Sequence, residues 1–513
     1  MLRPPQTPSL RPLSAPLAVG LLAALVLAGA PVVAAAQTDT LAAKAQQAKE
    51  AMAGGRFDAA AALYADIVQA LPDEPGMQMN LGMALSMAGR SKEAVPHLQA
   101  ALKLKPDLLP ASLFLGTAYV DLGRPAQAVA PLQRFVAAQP DHRDSRQMLA
   151  DALLTLERFG EAAPHYLTLV EQGPQEPKAW YGLGRSFEGL SRDAFVALQR
   201  AAPGSVYVSL LVADGMVADQ RDKSAFRLYR EAVEKTPGLA EAHEALARIY
   251  DRSGHPDWAA KERAQAKAIP PPDCRTAGLE CDFRAGRYPA VVDAARPLRT
   301  AEARYWLSRA AGEIARAAFA RLEALPPSPE AVLVQVEVLR GQRRYLESKE
   351  ALQRATAAWP EDRRLRHELA TLHFIAHEQA AARPLLEDLL KHDPGSAELD
   401  LLLGESWLES KEAAKAVPYL EAAVRRDPKL LRAHAALGRA YLEAGEAARA
   451  VPSLEAALAD DDDGSVHFQL ARAYRETGQA ERAGPMMQAF QDIRRRNEAQ
   501  EASDKEEFAI TPP

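Results

Sequence analysis

A single residue type returning at one interval limits what this chain can fold into. Pro72, Pro106, Pro140 and Pro174 lie 34 residues apart, as do Pro203, Pro237 and Pro271, and again Pro360, Pro394 and Pro428. A unit of that length cannot enclose a core of its own, so each must bury its apolar face against its neighbours. Stacking of this kind also lets a chain of 513 residues avoid the size limit of one compact core.

The stretch Leu109–His142 displays the unit most clearly. Leu113, Leu115, Gly116 and Tyr119 share one helical face, Gly123 makes a turn, Ala128, Leu132 and Phe135 share a second face, and Pro140 closes the unit. With Leu115-Gly116, Tyr119, Gly123, Ala128, Leu132 and Pro140 in these places, the sequence resembles the tetratricopeptide repeat family, and the likeness recurs about a dozen times after residue 40. That resemblance implies an all-α fold, an α-solenoid in which helix-turn-helix units form a right-handed superhelix.

Units are expected to begin near Leu41, Pro75, Leu109, Arg143, Pro177, Val206 and Ala240, and again near Pro329, Arg363, Ala397, Leu431 and Gly464. Small residues at Ala60, Ala94, Ala128, Ala162, Ala225 and Ala259 let paired helices approach closely. The unit between Pro174 and Pro203 is short of the period and reads as a shortened repeat. Its segment from Tyr181 parallels the one from Tyr305: Arg192 and Arg316, Phe195 and Phe319, and Leu198 and Leu322 correspond at one offset. A larger duplication therefore lies over the short one. Prolines at 96, 164, 384, 418, 452 and 485 are expected at the start, or a gentle bend, of the second helices.

These signals divide the chain into a leader at 1–36, a first array at 37–273, an irregular seam at 274–300, a second array at 301–490, and a capping helix with a disordered tail at 491–513. The seam begins after Pro270-Pro271-Pro272, which stops a helix. In the leader, Arg3 and Arg11 precede the apolar run Leu17–Ala30, and Ala34-Ala35-Ala36 forms a cleavage site. The expectation is an exported chain, periplasmic or secreted, cleaved near Ala36 and Gln37, with no stable membrane span afterwards. A retained anchor is the competing reading, because Ala15–Ala36 carries no charge and is just long enough to span.

With 25% charged residues and a net charge of −6, the composition lacks the basic bias of nucleic-acid binders. No nucleophile elbow, phosphate loop or dinucleotide motif is visible. The reading is therefore non-enzymatic, with no cofactor and no metal. Three features invite other chemistry. The only two cysteines, Cys274 and Cys281, suit a disulfide in an oxidising compartment, and two free thiols are the alternative. A straight helix between them would set the α-carbons about 10.5 Å apart, beyond the ~7 Å a disulfide tolerates, so a bridge needs a bend, for which Gly278 is the candidate. His367, His373 and His377 are expected on one helix, and His373 and His377 are four residues apart, yet the pattern lacks the ligands of a tight zinc site. The run Asp460–Asp463 misses calcium-loop spacing, since Ala459 and Leu470 fall on ligand positions, and reads as a turn.

The resemblance implies that the first helix of each unit lines a groove that holds protein or peptide segments. Carried over position by position, the early groove reads Met79, Met83, Leu113, Thr117, Val120 and Tyr207, and a later row reads Arg185, Arg248, Arg309, Arg439 and Arg472. Apolar, adaptable side chains suit an extended segment or a helix, and arginines suit carboxylates. For the arginines, pairing with the interleaved Asp151, Asp214, Glu337 and Glu405 is the open alternative. Of the Lys/Asn set by which chaperone-binding members clamp a carboxylate, only Asn80 matches. The implied function is an exported scaffold for protein partners, of unknown oligomeric state. A component of envelope polysaccharide or fibre export, and an unrecognised enzyme or metal-binding protein centred on His367–His377, are the alternatives.

Ala128→Leu is predicted to overpack the meeting of two helices and cost about 1–3 kcal/mol, whereas Gln127→Leu costs little. Denaturant titration of both variants checks the assignment, and equal effects would refute it.

Overall fold

The computed structural model describes residues 30–505 and 510–513. Among them are 26 α-helices and no strand. The chain divides into two compact units, one ending at Asp141 and one beginning at His142. The first holds α1 (Ala30–Ala53), α2 (Phe57–Ala70), α3 (Pro75–Met87), α4 (Ser91–Leu104), α5 (Leu109–Asp121) and α6 (Pro125–Ala138). The second begins with α7 (Arg143–Thr155), α8 (Phe159–Gln172), α9 (Pro177–Ala201), α10 (Val206–Ala218), α11 (Asp222–Lys235), α12 (Ala240–Arg252) and α13 (Pro256–Ala268). Two short helices follow, α14 (Gly278–Arg284) and α15 (Tyr288–Ala295), then α16 (Ala301–Glu323), α17 (Pro329–Gly341), α18 (Tyr345–Ala358), α19 (Arg363–Ile375) and α20 (Gln379–His392). It ends with α21 (Ala397–Glu409), α22 (Ala413–Arg426), α23 (Leu431–Glu443), α24 (Ala447–Ala457), α25 (Ser465–Glu476) and α26 (Ala480–Lys505). The fold is an all-α solenoid of helix-turn-helix repeats. The expected leader lies mostly outside the described residues, and the expected cleavage site falls within α1. The stretch 274–300 lies inside the second unit.

Helix pairs close through a recurring notch. A Cβ at Gly82 would stand 2.5 Å from Leu98, at Gly116 2.6 Å from Leu132, and at Gly404 and Gly438 2.4 Å from Leu420 and Leu454. Each leucine is fully buried, as are Ala60, Ala94, Ala128, Ala162, Ala225 and Ala259 on the second helices. Burial of one such leucine contributes about 1.5–3 kcal/mol, so the notch is what makes the repeat stick.

The turn within each repeat places one residue at positive φ. Glycine does this at Gly55, Gly89, Gly123, Gly254, Gly445 and Gly478. Glu157, Gln220, Arg343, His377 and Lys411 do it without glycine, at a cost of about 1–2 kcal/mol each. The periodic prolines fall just past the helix ends, where a missing N–H costs nothing. Their carbonyls are taken by the side chain six residues on: Gln78 bonds Pro72, Trp180 bonds Pro174, His243 bonds Pro237 and His434 bonds Pro428.

Two expectations need correction. The prolines at 96, 164, 384, 418, 452 and 485 are not helix starts: each is the sixth residue of its helix, in the second turn, and the helix runs through it. Pro131 sits similarly inside α6. The stretch between Pro174 and Pro203 is not a small helix pair either. It is one 25-residue helix, α9, in which the turn has been lost and both halves have fused. The duplicated α16 is fused likewise, over 23 residues.

Each fused helix lacks a second helix to cover its face, and each finds the other. Ser191 Oγ donates to the Ser308 carbonyl at 2.8 Å while Ser308 Oγ donates to the Ser191 carbonyl at 3.0 Å. Arg304, early in α16, donates to the carbonyl of Ala197, late in α9. Early in α9, Gly184 accepts the ring of Phe319, late in α16. The duplicated segments thus pair antiparallel about a local two-fold.

Gly182→Ala should destabilise by about 1–3 kcal/mol, because its Cβ would lie 2.1 Å from the ring of buried Tyr166. Gly215→Ala, with open space around its Cβ inside α10, should stabilise by about 0.5–1 kcal/mol. Thermal unfolding of the two variants should therefore shift in opposite directions.

Candidate partner-binding surfaces

In the first unit, the first helices of two repeats are apolar on more than one side. α3 carries no charged residue, and α5 carries only Asp121 at its end. Leu81, Ala84 and Leu85 of α3, with Leu115, Ala118 and Tyr119 of α5, face the core. Met79, Met83, Leu113 and Thr117 are half-buried, and Val120 and Met87 are exposed. A helix apolar all round is usually buried all round, and these two are not. Tyr207, expected with this set, lies instead in the second unit on α10, where its ring packs 4.8 Å from Tyr305.

The arginine row lies in the second unit, and the structure gives most of it partners. Arg185 pairs with Glu188 at 2.6 Å and Glu337 at 2.8 Å, Arg439 with Glu409 at 2.9 Å and Glu443 at 3.5 Å, and Arg472 with Glu476 at 2.7 Å. The interleaved acids are engaged too: Asp151 meets Lys178 and the Tyr166 hydroxyl, and Glu405 meets Arg432. Arg248 is exposed on α12.

Arg309 is the most enclosed of the row. It is ion-paired with Glu241, stands 3.9 Å from Asp214, and lies 4.7 Å from the ring centre of Phe283, with Tyr305 and Trp306 beside it. Tyr305 donates to Glu241 at 2.6 Å and Tyr229 to Asp214 at 2.5 Å. Burial holds the Asp214 carboxyl above its ordinary range, although the Tyr229 hydrogen bond and Arg309 pull it down. Burial also pushes the Tyr305 phenol well up. This cluster floors a cleft of about 410 Å³ with Arg248, Lys267 and Arg284 among its lining residues. A second cleft, of about 910 Å³, shares Asp214 and Arg309 and opens between α9, α10 and α16. Glu241, Tyr305, Trp306 and Phe283 were not singled out from the sequence as lining residues. Tyr305 and Trp306 had one signal, the duplication that begins at Tyr305, whereas Glu241 on α12 and Phe283 on α14 had none.

Cys274 and Cys281 form a disulfide, with α-carbons 5.7 Å apart. The bend is supplied by the loop that ends where α14 begins, at Gly278. The bridge thereby ties the loop to α14, which carries Phe283 under Arg309.

The histidines do not share one helix. α19 ends at Ile375, so His377 sits in the following turn at φ 58°, and buried His373 pairs with Glu378 at 2.6 Å. Among the described residues no group of three metal-ligating side chains is placed to hold an ion. The acidic run caps α25: Asp461 accepts from the amides of Val466 and His467, and Asp463 from Ser465.

The repeat that this geometry defines is matched by comparison. The chain matches the tetratricopeptide repeat over residues 45–108, 113–177, 147–206 and 367–430, and a second description of that repeat over 407–467. It belongs to the tetratricopeptide repeat family, whose arrays bind protein partners. No curated protein matches it. Among solved structures it is similar to TTC0263, a thermophilic TPR protein of Thermus thermophilus, at 21% identity over 34% of this chain and 98% of that one, TM-score 0.28. Yeast Tom70 is similar at 16% identity over 89% and 92%, TM-score 0.29, and the human IFIT1 dimer with m7Gppp-AAAA at 15% over 82% and 77%, TM-score 0.31.

Arg309→Ala should cost about 1–3 kcal/mol, because it removes the charged partner of the partly buried Glu241, which keeps its bond from the Tyr305 hydroxyl. Arg472→Ala, which breaks one exposed pair within a helix, should cost less than about 0.5 kcal/mol. Urea unfolding of both checks whether the row is a set of equals.

Proposed function

We propose that this chain is an exported, non-catalytic scaffold that holds an apolar segment of a partner protein against α3 and α5 of its first unit. One observation carries the reading: these helices keep uncharged, half-exposed faces after their core-facing sides are fully packed. Met79 and Met83 supply adaptable contact there, and Leu113 and Val120 supply shape. An amphipathic helix or an extended strand presenting apolar side chains fits this surface. Most arginines of the second unit's row are spent on internal carboxylates, which favours the apolar set as the principal contact.

Export is supported by the charge-then-apolar pattern of residues 1–36 and by the paired cysteines, which suit an oxidising compartment. No helix among the described residues is long and apolar enough to cross a membrane.

An affinity capture from the native envelope supplies the partner, and a salt titration then tests the surface. Affinity should be nearly independent of ionic strength, and Met83→Glu should weaken it at least about tenfold. A double Arg439→Ala, Arg472→Ala variant should bind like the parent. Steep salt dependence that this double variant abolishes would move the contact to the arginine row.

A further inference from the structure

The last described residues, Ile510–Pro513, do not stand free. The Tyr250 hydroxyl of α12 donates to the carbonyl of Thr511 at 2.6 Å, and Ile510 is half-buried. The chemistry of this hydroxyl sets it apart from Tyr441 and Tyr474, its counterparts in two later repeats, whereas at Tyr119, the counterpart in α5, the hydroxyl accepts from Gln99 at 2.8 Å. Tyr441 donates to Glu421, twenty residues earlier, at 2.7 Å, and Arg449, eight residues later, covers its ring at 4.2 Å. Tyr474 repeats the arrangement with Glu455, nineteen residues earlier and in the same place on its helix as Glu421, at 2.6 Å and with Arg482 at 4.2 Å. At Tyr250 both partners are exchanged: Arg230 stands where the glutamate would be, and Trp258 where the arginine would be.

Both exchanges point to an outside ligand. An arginine cannot accept the hydroxyl proton, so Tyr250 keeps a donor to give. Trp258 stands edge-on to Tyr250 at 5.6 Å and stacks on His255 at 3.9 Å, while Phe226 meets Tyr250 from the other side at 5.5 Å. The result is an aromatic cluster, with Tyr250 and Phe226 buried and Trp258 half-buried at its edge, whose hydroxyl proton goes to Thr511 instead of to a repeat neighbour. Aromatic surfaces take extended, proline-containing segments, because proline presets the backbone and its neighbours' carbonyls remain open to donors. Thr511 is biased to extended backbone by Pro512 after it, and its carbonyl is the acceptor used.

We propose that the α11–α13 face around Tyr250 is a docking site for this chain's own Ile510–Pro513, held in extended form within one molecule. The occupant is the segment that lies on it, and the specificity is an aromatic floor plus the Tyr250 hydroxyl. Arg230→Glu restores the acceptor found beside Tyr441 and Tyr474, so it takes the hydroxyl proton back while conforming to the repeat.

The test uses the full chain with a photo-crosslinking benzoylphenylalanine in place of Pro513. Irradiation should join position 513 to α11–α13 within a monomer-sized band. Tyr250→Phe and Arg230→Glu should each lower that yield about fivefold, with helical circular dichroism unchanged. Should Arg230→Glu disturb folding, Tyr250→Phe decides alone, since the ring is retained. Crosslinks to other helices, crosslinks between two chains, or a yield indifferent to the substitution in a folded variant would overturn the proposal.

Discussion

The structure depends on one close approach repeated along the chain: a leucine side chain seated where a glycine has no side chain. Leu98 on Gly82, Leu132 on Gly116, Leu420 on Gly404 and Leu454 on Gly438 bring the two helices of a repeat together. With that distance set, fully buried Ala94, Ala128 and Ala450 fit between the helices, and the opposite side of each first helix is left facing outward. Which residues occupy that outward side is then free to vary. The first unit fills it with methionine and leucine, and much of the second unit fills it with arginine and acid.

The paired arginines show how much a row of like residues can conceal. Read along the sequence, Arg185, Arg309, Arg439 and Arg472 are equivalents, and each recurs at the same place in its repeat. In space their settings differ widely. Arg309 is enclosed by Phe283, Tyr305 and Trp306 and is held by Glu241, a residue 68 positions away. Arg472 merely reaches along its own helix to Glu476. Enclosure, more than the presence of a charge, decides how strongly such a group is held.

Most first helices were legible in the sequence almost to the residue, because proline and the 34-residue period mark where helices begin. Pro75, Leu109, Arg143, Pro177, Val206 and Ala240 each open one. What failed to read was whatever depended on a non-periodic partner. The left-handed turns at Glu157, Gln220, Arg343, His377 and Lys411 carry no glycine, so His377 read as helical when it is not. The fusion of α9 had a signal, the missing residues before Pro203, but a deletion alone does not say whether a helix or the turn was lost. The aromatic and acidic neighbours of Arg309 come from α10, α12, α14 and α16, and no local pattern announces that meeting. The half-exposed faces of α3 and α5 were visible as uncharged stretches, since side-chain polarity needs no partner to be read.

The joined pair α9 and α16 also changes how this chain must come together in time. In an ordinary array each helix meets a neighbour within about one repeat, and folding spreads by short steps. Ser191 and Ser308 are 117 residues apart. Relative to a single repeat, closing that loop costs about 1 kcal/mol more in chain entropy, and it makes this region the slow, non-local event. During synthesis, the face of α9 that Ser308 will meet must wait for some 117 residues to be made, on the order of ten seconds at ordinary elongation rates. For that interval the nascent chain carries an uncovered glycine-and-serine groove along α9, and its safe passage depends on the groove staying open until α16 arrives.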